Sequence, residues 1–190
     1  MKTTEKAGLL KLCQWLLILV SVLPIFAIAL WLPTQAQGQL PITLEQFLVQ
    51  HLLGRVGPWS SNFPLESMAI ANYIAVAAPL FAAGLVVILR QPGSGLPARL
   101  PVLPWHRYLL LYLGWAALIS FMVHYNYFTS VDFAHHRGKF RGFGFNPVLF
   151  ACFAASMLMA LEYLLLLSYL LFIHYPVGWL LRCVGRSPGC

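Results

Sequence analysis

The residue best suited to chemistry in this 190-residue chain is Glu162, an acid inside the long apolar stretch from Pro147 to Pro176. A carboxyl group at that depth in lipid is costly, so it indicates proton or cation handling, or a bond to a neighbouring helix. The apolar stretches contain no second acid and no lysine that could relay a proton. We therefore expect Glu162 to hold helices together through Ser120, Tyr163 or another helix.

Histidine spacing raises the possibility of a haem site. His106 and His124 are eighteen residues apart, which places them on one helix face, and His174 is expected at the depth of His106. A b-type haem could then bind between His106 and His174, with His124 and His51 as a weaker pair. Histidines near helix ends also serve as interfacial residues, and we favour that interpretation. The sequence predicts no cofactor.

Other patterns give no sign of catalysis. Asp132, His135 and His136 could hold a metal ion, but they lie in a glycine-rich loop with three basic neighbours that repel cations. We expect a solvated loop that contacts a partner or lipid headgroups. No Ser–His–Asp arrangement, phosphate-binding glycine loop or paired carboxylate is evident, so we predict that the chain is not an enzyme. Four cysteines without metal-ligand spacing are expected to be free thiols, namely Cys13, Cys152, Cys183 and Cys190.

Composition excludes an ordinary soluble domain, because 60% of the residues are hydrophobic and 9% are charged. The net charge of +7 does not indicate nucleic-acid binding, since the basic residues are scattered between apolar stretches. That distribution is typical of a polytopic membrane protein.

The apolar stretches predict an all-α fold, a single four-helix transmembrane domain over residues 1–190. Its spans are expected at about 12–32, 65–89, 105–127 and 147–175. The first stretch resembles a signal peptide, but its length favours a retained helix, kinked at Pro24. Asn146 and Pro147 are expected to start the last span, and Pro176 to end it.

A short amphipathic helix is predicted in the first outer loop. Thr43 and Gln46 have the spacing of a capping box, and Gly54 could end the helix. It is too short to span, so it either lies on the membrane surface or packs over the bundle. The sequence favours neither alternative over the other.

Small residues recur every four positions in the second span, at Ala71, Ala75, Pro79 and Ala83. Such a row lets another helix approach closely, and packing within this chain is its simplest use. The residues predicted to bind a partner are this alanine face, the last span and the basic loop: Ala71, Ala75, Ala83, Ala151, Ala155, Glu162, Arg137, Lys139 and Arg141.

Basic residues also predict orientation. With four spans, eight lysines and arginines fall on one side and four on the other. Because positive charge accumulates in cytoplasmic loops, both termini are expected in the cytoplasm.

With this layout the chain resembles the inner-membrane immunity proteins of pore-forming colicins, of the type that protects against colicins A, B and N. The likeness is carried by four spans, a first outer loop of about thirty residues, the basic loop YNYFTSVDFAHHRGKFRGF and the tail FIHYPVGWLLRCVGR. It implies a non-catalytic protein of the bacterial inner membrane that pairs with a toxin inside the bilayer before the pore opens.

A competing hypothesis is a small accessory subunit of a larger membrane assembly, such as a secretion, conjugation or respiratory complex. Its spans would then contact larger subunits, and Glu162 would face them. A b-type cytochrome is a third possibility. In each case the expected surroundings are membrane lipid and other membrane proteins, without nucleic acid.

Overall fold

A computed structural model describes residues 3–34, 39–91, 104–135, 138 and 140–177 of the chain. The described part is mostly helical, and it contains two short strands. In chain order the elements are α1 (Thr3–Trp31), α2 (Gln39–His51), β1 (Gly57–Trp59), α3 (Pro64–Leu89), α4 (Trp105–Tyr127), β2 (Ser130–Asp132), α5 (Arg141–Phe145), α6 (Pro147–Tyr169) and a π-helical turn (Leu170–His174).

Four helices are long and apolar enough to cross a membrane, as the sequence predicts. Helix α4 has the expected bounds and α3 begins one residue earlier than expected, whereas α1 begins nine residues earlier. The start of α6 also follows the prediction: the Asn146 side chain accepts hydrogen bonds from the backbone N–H groups of Val148 and Leu149, and Pro147 occupies the first turn. The end of this span differs from the prediction, because α6 passes into the π-helical turn and the helical run continues through Pro176 to Val177.

Helices α1, α3 and α6 form the centre of the bundle. Phe63 beside Phe150 and Arg90 beside Tyr169 show that α3 and α6 run parallel. Helix α1 runs antiparallel to them, and its Leu17 lies against Gly84. Small residues of α3 and α6 are buried in the bundle, namely Ala71, Ala75, Ala77, Ala78, Ala82, Ala151, Ala154 and Ala155. Their size allows the backbones to approach closely, so that dispersion contacts between the helices can form.

Helix α4 is attached to this centre by two tyrosines that compensate for prolines. Pro79 has no N–H to donate to the carbonyl of Ala75, and the Tyr127 hydroxyl donates to that carbonyl at 2.7 Å. In the π-helical turn the N–H of Tyr175 reaches Leu170, so Pro176 leaves the next carbonyl, that of Leu171, without a backbone donor. The Tyr112 hydroxyl donates to it at 2.9 Å. Each tyrosine thereby satisfies a backbone carbonyl that a proline leaves without its helical donor.

The two loops at one end of the bundle are joined by a short parallel sheet. Strand β1 pairs with β2 in the register Gly57 to Ser130, Pro58 to Val131 and Trp59 to Asp132. The indole N–H of Trp59 adds a hydrogen bond to the Ser130 hydroxyl at 2.9 Å. We call the described residues of 52–63 and 128–146 the cap. The all-α prediction is thus accurate for the bundle and misses this strand pair.

The cap is anchored by Phe133, which is 1% exposed and packs against Phe143, Phe150 and Phe153. Gly144 lies so close that a Cβ atom there would come within 2.6 Å of the Phe133 carbonyl oxygen. The Gly144 carbonyl accepts hydrogen bonds from the Ser60 hydroxyl and the Asn62 side-chain amide, at 2.7 and 2.8 Å. The described part of the glycine- and phenylalanine-rich loop is therefore anchored to the bundle at Phe133 and Gly144, while His135, Phe140, Arg141 and Phe145 are exposed as expected for a solvated loop.

Helix α2 packs on the start of α3 through Leu48, which is buried with Leu65 and Met68. It begins at Gln39, four residues before the predicted capping box, and the Thr43 hydroxyl donates to the Gln39 carbonyl inside the helix. Gly54 follows the helix with a φ of +63°, a conformation that glycine adopts without strain. Its carbonyl accepts a hydrogen bond from the Asn72 side chain at 2.7 Å.

Candidate functional site

The predicted alanine faces fall into two groups. Ala71, Ala75, Ala151 and Ala155 are buried inside the bundle, where they bring its own helices together. Ala83 is exposed, as is Pro79. The difference follows from helix geometry, because a row of every fourth residue turns by about 40° per step relative to a 3.6-residue repeat. Of the predicted alanine positions, Ala83 is the one whose side chain a partner could reach in this arrangement.

Glu162 is fully buried at the junction of α1, α3 and α6. The Ser21 hydroxyl of α1 lies beside its carboxyl group and Tyr73 of α3 is close enough to interact electrostatically. Both neighbours bond elsewhere: the Ser21 hydroxyl donates to the Ile18 carbonyl at 2.8 Å, and the Tyr73 hydroxyl donates to the Ser21 carbonyl at 2.7 Å. Neither carboxyl oxygen of Glu162 has a hydrogen-bond partner within the described residues. The expected partners Ser120 and Tyr163 are both exposed.

A second buried acid, Glu66, lies inside the predicted second span of 65–89, where the sequence reasoning overlooked it. The structure puts it in the first turn of α3, fully buried, and both its carboxyl oxygens lack a hydrogen-bond partner in the described part of the chain. The statement that the spans contain one acid is therefore wrong. The signal was available in the sequence, because Glu66 lies four residues before Ile70 and seven before Tyr73, which places all three on one helix face.

Of the three basic residues predicted to bind a partner in the second outer loop, the structure describes one. Arg137 and Lys139 lie outside the described residues, whereas Arg141 is exposed and its guanidinium lies 5.1 Å from the Phe145 ring centre. Arg55, at the other side of the cap, lies 5.0 Å from the Trp59 ring centre. Both pairs place a cation on an aromatic face, and the described cap surface consequently combines positive charge with aromatic area.

Asp132 is the acid of the cap, and hydrogen bonds occupy its carboxylate. The backbone N–H groups of Ser61 and Ala134 donate to one oxygen at 3.0 and 2.9 Å, and His135 Nδ1 lies 2.9 Å from the other. Partial burial acts to raise the pKa of Asp132, but these hydrogen bonds outweigh it and the pKa lies below its ordinary value of 3.8. The carboxylate therefore ties the two loops together as an anion.

Ser61, His135 and Asp132 do meet in space, an arrangement that the sequence analysis did not detect. The Ser61 hydroxyl is 3.4 Å from His135 Nδ1, the same ring nitrogen that contacts Asp132. A catalytic triad needs the acid and the hydroxyl on opposite ring nitrogens. The cluster is thus a structural link between loops. No group of three His, Cys, Asp or Glu residues suited to a metal ion occurs in the described ranges, and His136 lies outside them.

The histidines considered for haem each lie against an aromatic ring of their own. His51 stacks on Phe47, His106 meets Trp105 edge-on, His124 stacks on Phe128 and His174 meets Tyr175 edge-on. Cys13 and Cys152 are free thiols among the described residues, and Cys183 and Cys190 lie beyond them.

Comparison with known proteins adds no family: no protein-family model, no curated protein and no solved structure matches this chain.

Proposed function

We propose that the chain is a non-catalytic membrane protein that recognises another protein inside the bilayer. The observation that carries this proposal is the exposure of α4. All 23 residues of α4 are described, and Asn126 is the only one of them that is buried. The helix is apolar, yet it is attached to the bundle mainly through Tyr112, Trp115 and Tyr127. A long apolar face is left for lipid or for a partner helix.

In its specific form the proposal is immunity to a pore-forming bacterial toxin in the inner membrane, with both termini in the cytoplasm. The cap would then face the incoming toxin, and its exposed Arg55 and Arg141 would meet acidic or aromatic toxin segments. The resemblance in layout to colicin immunity proteins and the open face of α4 support this proposal together. On this account α2 would lie at the outer membrane surface, where its exposed Phe47 and Val49 contact lipid headgroups.

Protection of living cells tests this function. Cells that express the chain should survive one pore-forming toxin of a panel and stay sensitive to the others, because recognition depends on one matching set of helices. Equal sensitivity to every toxin, with the chain present in the membrane, would refute immunity. A stoichiometric set of co-purifying membrane proteins would instead favour the accessory subunit, for which the open face of α4 would be a permanent interface.

A pair of glycines tests the role of α4 directly. A Cβ atom added at Gly114, halfway along α4, or at Gly8, near the start of α1, would meet no atom within 4 Å. Gly114→Leu should leave the fold intact and abolish protection, since it enlarges the face on which a partner helix would lie. Gly8→Leu is the matched control and should protect as the unaltered chain does. Equal protection by both variants would remove α4 from the proposed interface.

A further inference from the structure

The buried carboxyl groups of Glu66 and Glu162 are connected through one face of α3. Glu66 and Tyr73 are seven residues apart on α3, which is two turns and about 10 Å along the axis. Tyr73 in turn is close enough to Glu162 of α6 to interact with it electrostatically. This face of α3 therefore connects one carboxyl group a turn below the cap with a second one about halfway along α6.

Both carboxyl groups are fully buried and all four of their oxygens lack hydrogen-bond partners within the described residues. An ionised carboxylate in such surroundings would lack both solvation and a counter-charge, at a cost of many kcal/mol. A single acid has no second carboxyl group to which it could pass a proton, but this bundle contains two. We propose that the bundle binds exchangeable protons at Glu66 and Glu162, with Glu66 as the position nearer the outer water.

A proton fits these surroundings better than a metal cation does. A hard cation requires about six oxygen ligands, and the oxygens near Glu162 are already engaged in other bonds. The Ser21 hydroxyl donates to Ile18, and the Ser21 carbonyl accepts from Tyr73. A proton requires only the carboxyl group itself, which takes it from hydronium and releases it to water.

Few other titratable groups face the two acids. On α3, Tyr73 interacts electrostatically with Glu162, and α1 contributes the Ser21 hydroxyl. Helix α4 approaches α6 through Tyr112 and Trp115, whose polar atoms bond Leu171 and Ser168. Near Glu66, α2 carries Glu45 and His51 but approaches α3 through the apolar Leu48. Proton binding is therefore governed by the two carboxyl groups themselves.

Infrared difference spectroscopy of the full chain in lipid vesicles tests the proposal, with Glu66→Gln and Glu162→Gln as variants. Glutamine keeps the size and neutrality of a protonated glutamate, so both variants are expected to fold. At neutral pH each substitution should remove one protonated-carboxyl band, and both bands should shift in heavy water as their protons exchange. Glu66→Gln should in addition slow the exchange at Glu162 severalfold.

Three results would overturn the proposal. The first is loss of an ionised carboxylate band on either substitution, and the second is a band that never exchanges in heavy water, which would mark a purely structural acid. The third is a spectrum that responds to sodium ions at constant pH, which would mark a cation site. Carbodiimide labelling gives an independent check, because this reagent modifies protonated carboxyl groups in apolar surroundings. It should label Glu66 and Glu162 but spare Glu45, which lies outside the spans.

Discussion

Gly144 is the residue at which the cap has the least room. A Cβ atom there would lie 2.5 Å from the backbone nitrogen of Ala134 and 2.6 Å from the Phe133 carbonyl oxygen. Backbone atoms cannot move aside as a flexible side chain can, so the surrounding loop would have to shift. Because the Gly144 carbonyl also binds Ser60 and Asn62, such a shift would disturb both loops.

We therefore expect Gly144→Ala to lower the free energy of unfolding by about 1–3 kcal/mol. The matched control is Gly142→Ala in the same short helix, where a Cβ atom would meet nothing within 4 Å. It should be neutral or stabilising by up to about 1 kcal/mol, because alanine favours helix. Thermal unfolding of both variants in mild detergent measures the difference, and equal melting temperatures would contradict the packing described for Phe133.

Asp132 gives the cap a defined response to acid. Its pKa in the folded chain lies below the ordinary value of 3.8, so it binds fewer protons when folded than when unfolded. The stabilisation is then fully present above about pH 3.8 and is lost as the pH falls through the lower folded value.

The Asp132→Asn variant should be less stable than the unaltered chain at neutral pH, and this deficit should shrink below pH 3.8. Melting temperatures measured along a pH series for both proteins test this. A deficit that is constant across the series would mean that the charge of Asp132 plays no part in joining the loops.

Helix attachment through tyrosine and proline is the main result at the scale of elements. Tyr112 and Tyr127 donate to the two carbonyls that Pro176 and Pro79 leave without a donor. An unpaired buried carbonyl costs about 1–3 kcal/mol, and more in lipid. Each tyrosine removes this cost and at the same time links α4 to another helix. Helix α4 buries little apolar surface, and these hydrogen bonds consequently account for much of its attachment.

Tyr112→Phe should destabilise the chain by about 1–3 kcal/mol, because it leaves the Leu171 carbonyl unpaired. Pro176→Ala restores an N–H that can reach this carbonyl, so the cost of Tyr112→Phe should be smaller in that background. Tyr163→Phe is the control, since Tyr163 is 44% exposed on the same helix bundle. A double-mutant cycle of unfolding free energies measures the coupling, and a coupling of zero would refute the compensation.

Sequence and structure agree best where apolar length alone decides. The bounds of α3 and α4 follow from runs of apolar residues between polar or proline-rich segments. The first turn of α6 follows from Asn146 and Pro147. The pairing of Gly57–Trp59 with Ser130–Asp132 could not be predicted, because three-residue strands carry no periodic signal and their partners are about seventy residues apart. The anchoring of Phe133 could not be predicted either, because it depends on the close approach of Gly144 in the folded structure.

The candidate site was predicted in part. Glu162 was identified as the key acid from its place in an apolar run, but its neighbours Ser21 and Tyr73 come from other helices and only the folded bundle brings them together. Glu66 escaped because it stands at the boundary of a span, where an acid is expected to face water. The exposure of Ala83 shows the limit of a four-residue repeat, which drifts off the contact face within three steps.

For the whole molecule, the helix directions place the start of α1 and the end of α6 at one end of the bundle, opposite the cap. Leu17 lies against Gly84 and Arg90 meets Tyr169 at this end, while Phe63 meets Phe150 near the cap. The proposals on function require this arrangement to stand across a membrane, with the cap exposed to incoming proteins. The two buried acids would then lie within the bilayer, and the open face of α4 would lie in lipid.

Cysteine accessibility in intact bacterial cells tests this arrangement most directly. The four native cysteines would be replaced by serine, and single cysteines introduced at His135, whose side chain is 81% exposed in the cap, and ahead of Met1. A membrane-impermeant thiol reagent should label the first position in intact cells and the second only after the cells are broken. Labelling of both positions in intact cells, or of neither, would contradict a bundle that crosses the membrane with its cap outside.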